Sequence, residues 1–345
     1  MELIISTLKS IYTAILFPPY IVILLAMLII FYNKNKRITT MQKMIGDSVE
    51  SPFVLTLSQF IFGIFGGIIG SIILNLFGIV FNENCRIELL FLASIILMFI
   101  KPRFVCFSYS ASLLGIMAIV FKVFKNISHN LNYEDMFQLN ILYIMIFVGV
   151  MHMVEGILVF LDGYRGAVPI LNKNDDEVCD GYSLKRYWII PISVIIMGNM
   201  VNNYTGYNNI LLYDIPNYWT AFKSQEEINI LKTAFLSILS FYAVLGYSSV
   251  TYTRTKKEKA RSSGIYIFSY GILLVVVSQA ARIGILGEIF VVIYAPASHE
   301  FMIKIQRKVE NLRKQSMCSD IIENHKKELS EKSFKDVLKS IKSKN

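Results

Sequence analysis

Nine apolar blocks separated by short polar connections constrain this chain more than any other feature. They cover about residues 11–32, 52–81, 88–100, 104–121, 138–161, 187–202, 229–252, 264–279 and 282–297. A helix crosses roughly 30 Å of hydrocarbon with about 20 apolar residues, and most of the blocks approach or exceed that length. The 345 residues are 54% apolar and 17% charged, against roughly 25% charged in a soluble domain. A disordered chain and an ordinary soluble globule are both excluded. The pattern predicts an all-α polytopic membrane protein with about 8–9 transmembrane helices. Residues 88–100 would rise only about 20 Å as a helix and read as a half-helix, or as one extending back toward Cys85. The last two blocks, joined by Ser278-Gln279-Ala280-Ala281-Arg282, read as a tight hairpin. The run 11–32 is too long for the core of a cleavable signal and ends in the basic stop Lys34-Asn35-Lys36-Arg37.

Net charge is +9, which on a membrane protein points to cytoplasmic loops and anionic lipid rather than nucleic acid. With all nine blocks spanning and the N-terminus outside, inner loops hold 15 basic residues, outer segments 7, and residues 297–345 the other 12. That asymmetry predicts a cytoplasmic C-terminus. Residues 1–302 therefore read as the multi-pass domain and 303–345 as a basic cytoplasmic tail. In the tail, Phe334, Val337, Leu338 and Ile341 form a short helical stripe that Ser333 would cap together with Asp336. Between blocks, Ala167-Val168-Pro169-Ile170-Leu171 and Gly181-Tyr182-Ser183-Leu184 predict a short cytoplasmic hairpin. Asp175, Asp176, Glu177 and Asp180 at its tip read as a solvated turn. Tyr182, Tyr187 and Trp188, and the outer-loop Tyr204, Tyr207, Tyr213, Tyr218 and Trp219, fit headgroup-level aromatic belts.

Few residues within the blocks carry chemistry. Gly63, Gly66, Gly67 and Gly70 make two overlapping GxxxG spacings, the pattern that lets backbones pack closely in lipid. Packing within the chain is the expected use, and a homo-oligomer seam the other. His152 and Glu155 share one helix face. They suit a proton relay or a metal-ligand pair, but a structural hydrogen-bonded pair is expected, because His299 is the sole other histidine close to the membrane. Arg282 would snorkel to the outer interface, and Glu288 has no local partner by sequence. Asp162-Gly163 and His299-Glu300 invite a metalloprotease reading, but Phe301, Met302 and Ile303 follow, so the second histidine of H-E-x-x-H is missing. No GxSxG, Walker loop or GxGxxG occurs. The cysteines Cys85, Cys106, Cys179 and Cys318 are scattered, without a CxxC. No catalytic residue, cofactor or metal is expected.

Several stretches in order resemble the membrane domain of MinJ-type division-site determinants and of clostridial PDZ-containing membrane proteins. They are Leu16-Phe17-Pro18-Pro19-Tyr20; the glycine block after Ser51-Pro52; His152-Met153-Val154-Glu155-Gly156 with Gly163-Tyr164-Arg165-Gly166-Ala167-Val168-Pro169; the run from Gly181 through Trp188 to Pro191; and Tyr294-Ala295-Pro296-Ala297-Ser298-His299-Glu300. The resemblance covers about residues 10–303 and departs where the family continues into a PDZ domain. Only 42 residues follow Ile303, and they read helical and basic. The resemblance implies a non-catalytic membrane scaffold of a Gram-positive cell whose protein partners are division proteins. The other class of function considered is a small-solute or ion transporter using His152, Glu155 and Glu288.

Overall fold

The structure is a computed structural model that describes residues 2–45, 49–82, 87–100, 106–127, 139–174, 177–198, 208–209, 216–221, 223 and 225–342. Most of it is helical. The helices are α1 (Glu2–Leu16), α2 (Pro18–Ile45), α3 (Pro52–Leu76), α4 (Glu88–Ile100), α5 (Phe107–Ile127), α6 (Ile141–Asp162), α7 (Gln225–Thr233), α8 (Lys256–Ser278) and α9 (Ile285–Lys342). The strands are β1 (Val80–Asn82), β2 (Val168–Asn174), β3 (Glu177–Gly198), β4 (Asn208–Asn209) and β5 (Phe235–Thr251). Five helices among the described residues are long and apolar enough to span a membrane, or six with the α1–α2 pair. That pair is bent by 69° beside Pro18-Pro19, because proline cannot continue a helix without losing a backbone bond. The expected single span over 11–32 is therefore two helices. The expected half-helix is α4, with 13 residues. Exposed Ile29, Phe53, Ile61, Val276 and Ile293 give the bundle an apolar outer surface suited to lipid.

Two of the nine blocks are largely strand instead of helix in their described residues: β3 takes up 187–198 of one, and in 229–252 β5 follows the end of α7. Residues 187–197 are rich in Ile, Val, Tyr and Trp, with Pro191 at the centre, a composition that favours a pleated strand and penalises a helix interior. β3 pairs antiparallel with β5 from Tyr182↔Thr251 to Gly198↔Phe235. It also pairs antiparallel with β2, from Val168↔Ser183 to Asn174↔Glu177, which is the expected hairpin. The side chains of its acidic tip lie outside the described residues, as do Tyr204, Tyr207 and Tyr213.

The glycine stripe of α3 explains how a strand sits among helices. Between its pairings with β2 and β1, one edge of β3 faces α3. A Cβ on Gly63 would lie 1.9 Å from Ile189 O, and one on Gly67 2.2 Å from Pro191 O, while Ser71 Oγ accepts from Ser193 N at 2.9 Å. Four helix residues rise about 6 Å and two strand residues about 6.6 Å, so positions 63, 67 and 71 keep step with 189, 191 and 193. Pro191 has no N–H to lose on this edge. The other half of the stripe, Gly66 and Gly70, packs on Val154, Leu158 and Met151 of α6. Glycine packing is thus within the chain, but half of it meets a strand.

Helix α6 is apolar on all sides and almost wholly buried. It starts at Asn140, whose side chain accepts from Tyr143 N. Gly149 and Gly156 face Gly271 and Gly264 of α8 so closely that each pair presses glycine on backbone. Helix α8 opens with a capping box, Thr255 with Glu258. Helix α9 runs unbroken through position 303 to Lys342, so the expected domain boundary is not a break in structure. Ser333 does not begin a helix, and the side chains of the 333–341 stripe lie outside the described residues.

Candidate functional site

Among the described residues, one group of reactive side chains gathers from α6, α8, α9 and the residue that precedes α5. His152 sits midway along α6, about 15 Å from each end. Cys106 immediately precedes α5, His299 comes from α9, and Tyr270 from α8. Cys106 Sγ lies 3.0 Å from His152 Nε2 and 3.4 Å from His299 Nε2. The three potential ligand atoms all lie within 4.8 Å of one another. Both histidines are buried, and the Cys106 thiol is free.

The surrounding bonds fix the ring orientations. His152 Nδ1 lies 2.7 Å from Val148 O. A carbonyl only accepts, so Nδ1 carries the proton and Nε2 is the ring atom turned toward Cys106. His299 Nδ1 faces Tyr109 Oη at 3.4 Å, while Tyr109 donates to Glu300 Oε1. The Tyr109 oxygen is then the acceptor for His299 Nδ1–H, and the second Nε2 also points at the sulfur. Tyr270 Oη donates to Ala295 O at 2.9 Å and accepts from Ser108 Oγ at 2.7 Å, joining α5, α8 and α9. Its ring meets both imidazoles edge-on, with centroids at 4.9 and 5.4 Å. Chemically, this arrangement is either a thiol beside two bases or a set of one sulfur and two nitrogen ligands.

The residues singled out by sequence divide among three places. His152, His299 and Glu300 belong to the cluster. Glu155 stands one turn beyond His152 on the same face of α6. The expected His152–Glu155 hydrogen bond is replaced by bonds to Val148 and Cys106, because the His152 ring points toward α5 and α9. Glu288 is not in the cluster. It pairs with Lys122 at 2.9 Å near the opposite end of α5. Arg282 donates to Gln279 Oε1 at 3.0 Å.

Arg165 contacts Asp162 at 3.4 Å, as part of a second polar centre. Asp162 Oδ2 accepts from Arg186 Nε at 2.8 Å and from Trp188 Nε1 at 2.9 Å. Arg186 also donates to Leu55 O at 3.1 Å and to Ser58 Oγ. Asp162 and Trp188 are 0% exposed and Arg186 1%, so Trp188 is a core residue and not part of an aromatic belt. Trp219 is likewise buried. With its charges paired and hydrogen-bonded, this centre is a clamp between α3, α6 and β3.

Cys106 is the member of the cluster that the sequence alone does not single out. No spacing motif links it to His152 or His299, and the available signal was its place in Cys106-Phe107-Ser108-Tyr109, a polar opening to an apolar block. No protein family, curated protein or solved structure matches the chain.

Proposed function

We propose that this chain is a non-catalytic membrane adaptor, positioning division, envelope or motility proteins in a Gram-positive bacterium. The observation that carries the reading is the length and anchoring of α9. Its 58 residues make about 87 Å of helix, far more than the roughly 30 Å of hydrocarbon it has to cross. Within the bundle, Ala295 O accepts from Tyr270, and Gln306 Oε1 accepts from Ser263 at 3.0 Å. Glu310 then accepts from Thr251 Oγ1 at 2.7 Å and Tyr252 N at 3.0 Å. Beyond that clamp the helix runs on to Lys342, and its basic sequence would suit anionic lipid and a protein partner on the cytoplasmic side. The family resemblance supports the same reading, since two of its stretches, around His152 and His299, meet in space. The transporter alternative loses Glu288, which is paired elsewhere.

The test is a fluorescent fusion in a Gram-positive host. Septal or polar enrichment is expected, with dispersal over the membrane when residues 315–345 are removed. A uniform membrane signal accompanied by measurable solute flux would overturn the adaptor reading.

A further inference from the structure

We propose that Cys106, His152 and His299 form a buried transition-metal site that takes zinc(II), with one thiolate and two imidazoles closing on the ion. A tetrahedral zinc site has Zn–S of about 2.3 Å and Zn–N of about 2.0–2.1 Å, which places sulfur about 3.6 Å from each nitrogen. The observed separations are 3.0 and 3.4 Å, so the sulfur moves outward by a few tenths of an ångström to admit the ion. Both Nε2 atoms already face the same sulfur, and in its neutral form each ring offers its Nε2 lone pair on that side. Both Nδ1–H groups are held by an acceptor, Val148 O for one and the Tyr109–Glu300 pair for the other. This support behind the ligands is what metal-binding histidines require.

Charge balance extends the argument to Glu155. On binding, the Cys106 S–H bond breaks, its proton leaves to solvent, and sulfur forms the bond to zinc. The ion and one thiolate leave a net charge of +1 in a low-dielectric interior. Glu155, one helical turn from His152 on the same face of α6, brings the group to neutrality by releasing its own proton to solvent as the ion binds. Without a metal, the bundle holds a thiol, two imidazoles and a carboxyl at depth for no chemical return, an expensive arrangement in hydrocarbon. Soft sulfur with imidazole selects zinc or copper over magnesium and calcium.

The test uses the full chain in detergent or nanodiscs. The variant Cys85→Ser/Cys179→Ser/Cys318→Ser leaves Cys106 as the sole thiol. It should hold one zinc per chain. After zinc removal, cobalt(II) should restore a thiolate-to-metal charge-transfer band together with tetrahedral ligand-field bands. Zinc should slow maleimide labelling of Cys106 at least tenfold. Adding Cys106→Ser should abolish the charge-transfer band. Tyr109→Phe, which keeps the ligands but removes the acceptor behind His299, should weaken cobalt binding about 10- to 100-fold. If the triple variant binds neither zinc nor cobalt stoichiometrically while Cys106 labels equally fast with and without zinc, the site is a free thiol and the proposal is wrong. A charge-transfer band that survives Cys106→Ser would overturn it as well.

Discussion

Lys223 shows how an isolated charge is held at the end of the bundle opposite Asp162. It is 8% exposed, donates to Tyr143 Oη at 2.6 Å and sits 4.5 Å from the same ring's centroid. Tyr143 passes the bond on to Glu227 at 2.8 Å. Burial pushes the Lys223 ammonium down to about 8, against a smaller upward pull from Glu227. Between about pH 8 and the ordinary lysine range the unfolded chain therefore binds more protons than the folded one. Stability contributed by this group rises with pH across that window, while below it the burial penalty is fully present. Lys223→Met removes the titration, so wild type should gain on the variant by on the order of 1–2 kcal/mol between about pH 7.5 and 9.5. Paired thermal-unfolding curves in one detergent measure this difference. A gap that stays constant with pH would show that Lys223 titrates as an ordinary lysine.

Elements here are joined by backbone contact as much as by side-chain burial. The reach of an added methyl group separates the two faces of α3. At Gly63 it meets the Ile189 carbonyl at 1.9 Å, which moves only with the β3 backbone; at Gly70 it meets Val154 Cγ2 at 3.2 Å. Gly63→Ala should cost at least the upper part of the roughly 1–3 kcal/mol range for overpacking, and Gly70→Ala less than about 1 kcal/mol. The fraction of monodisperse protein remaining after graded heating compares them, and equal losses would mean that α3 does not track the β3 edge. The GxxxG spacing was legible in the sequence, but its partner was not. A helix-period glycine row looks the same whether it meets another helix or the open edge of a strand. Residues 187–202 satisfied an apolar-length criterion that is silent about period, and only the β-branched residues and Pro191 argued for extension. The Gly149/Gly156 and Gly264/Gly271 pairs were also readable as small residues seven apart, yet nothing local says that the two sets face each other. Cys106 is the extreme case, because its partners lie 46 and 193 residues away and no local rule connects them.

At the scale of the whole molecule, the contacts sort the polar connections to two ends of one bundle. At one end, Gln42 donates to Ala167 O at 3.0 Å, Gly166 N donates to Glu50 at 2.6 Å, and Asp162 holds Arg186. Lys34 lies 3.4 Å from the Tyr187 ring centroid, and Lys259 pairs with Glu310 at 3.6 Å. At the other end, Lys122 meets Glu288 and Arg282 meets Glu227. Lys257 lies 5.3 Å from the Tyr164 ring centroid, so the described residues of segments 33–50, 162–186 and 254–262, which the basic-residue asymmetry assigns to one side, lie together in space although they come from distant parts of the sequence. Moving an end so rich in Lys and Arg across the bilayer is unfavourable, so that end should face the cytoplasm. One cysteine added at a time, Lys36→Cys, Lys257→Cys or Ile283→Cys, to a background in which Cys85, Cys179 and Cys318 are serine and labelling of the remaining Cys106 is subtracted, tests side and grouping together. Ile283 is 82% exposed, so its cysteine should react with an impermeant maleimide on intact cells. The other two should react only after permeabilisation, and both to the same degree. Labelling of Lys257→Cys on intact cells would reverse the orientation, whereas a split between Lys36→Cys and Lys257→Cys would break the grouping itself and with it the placement of β3 against α3.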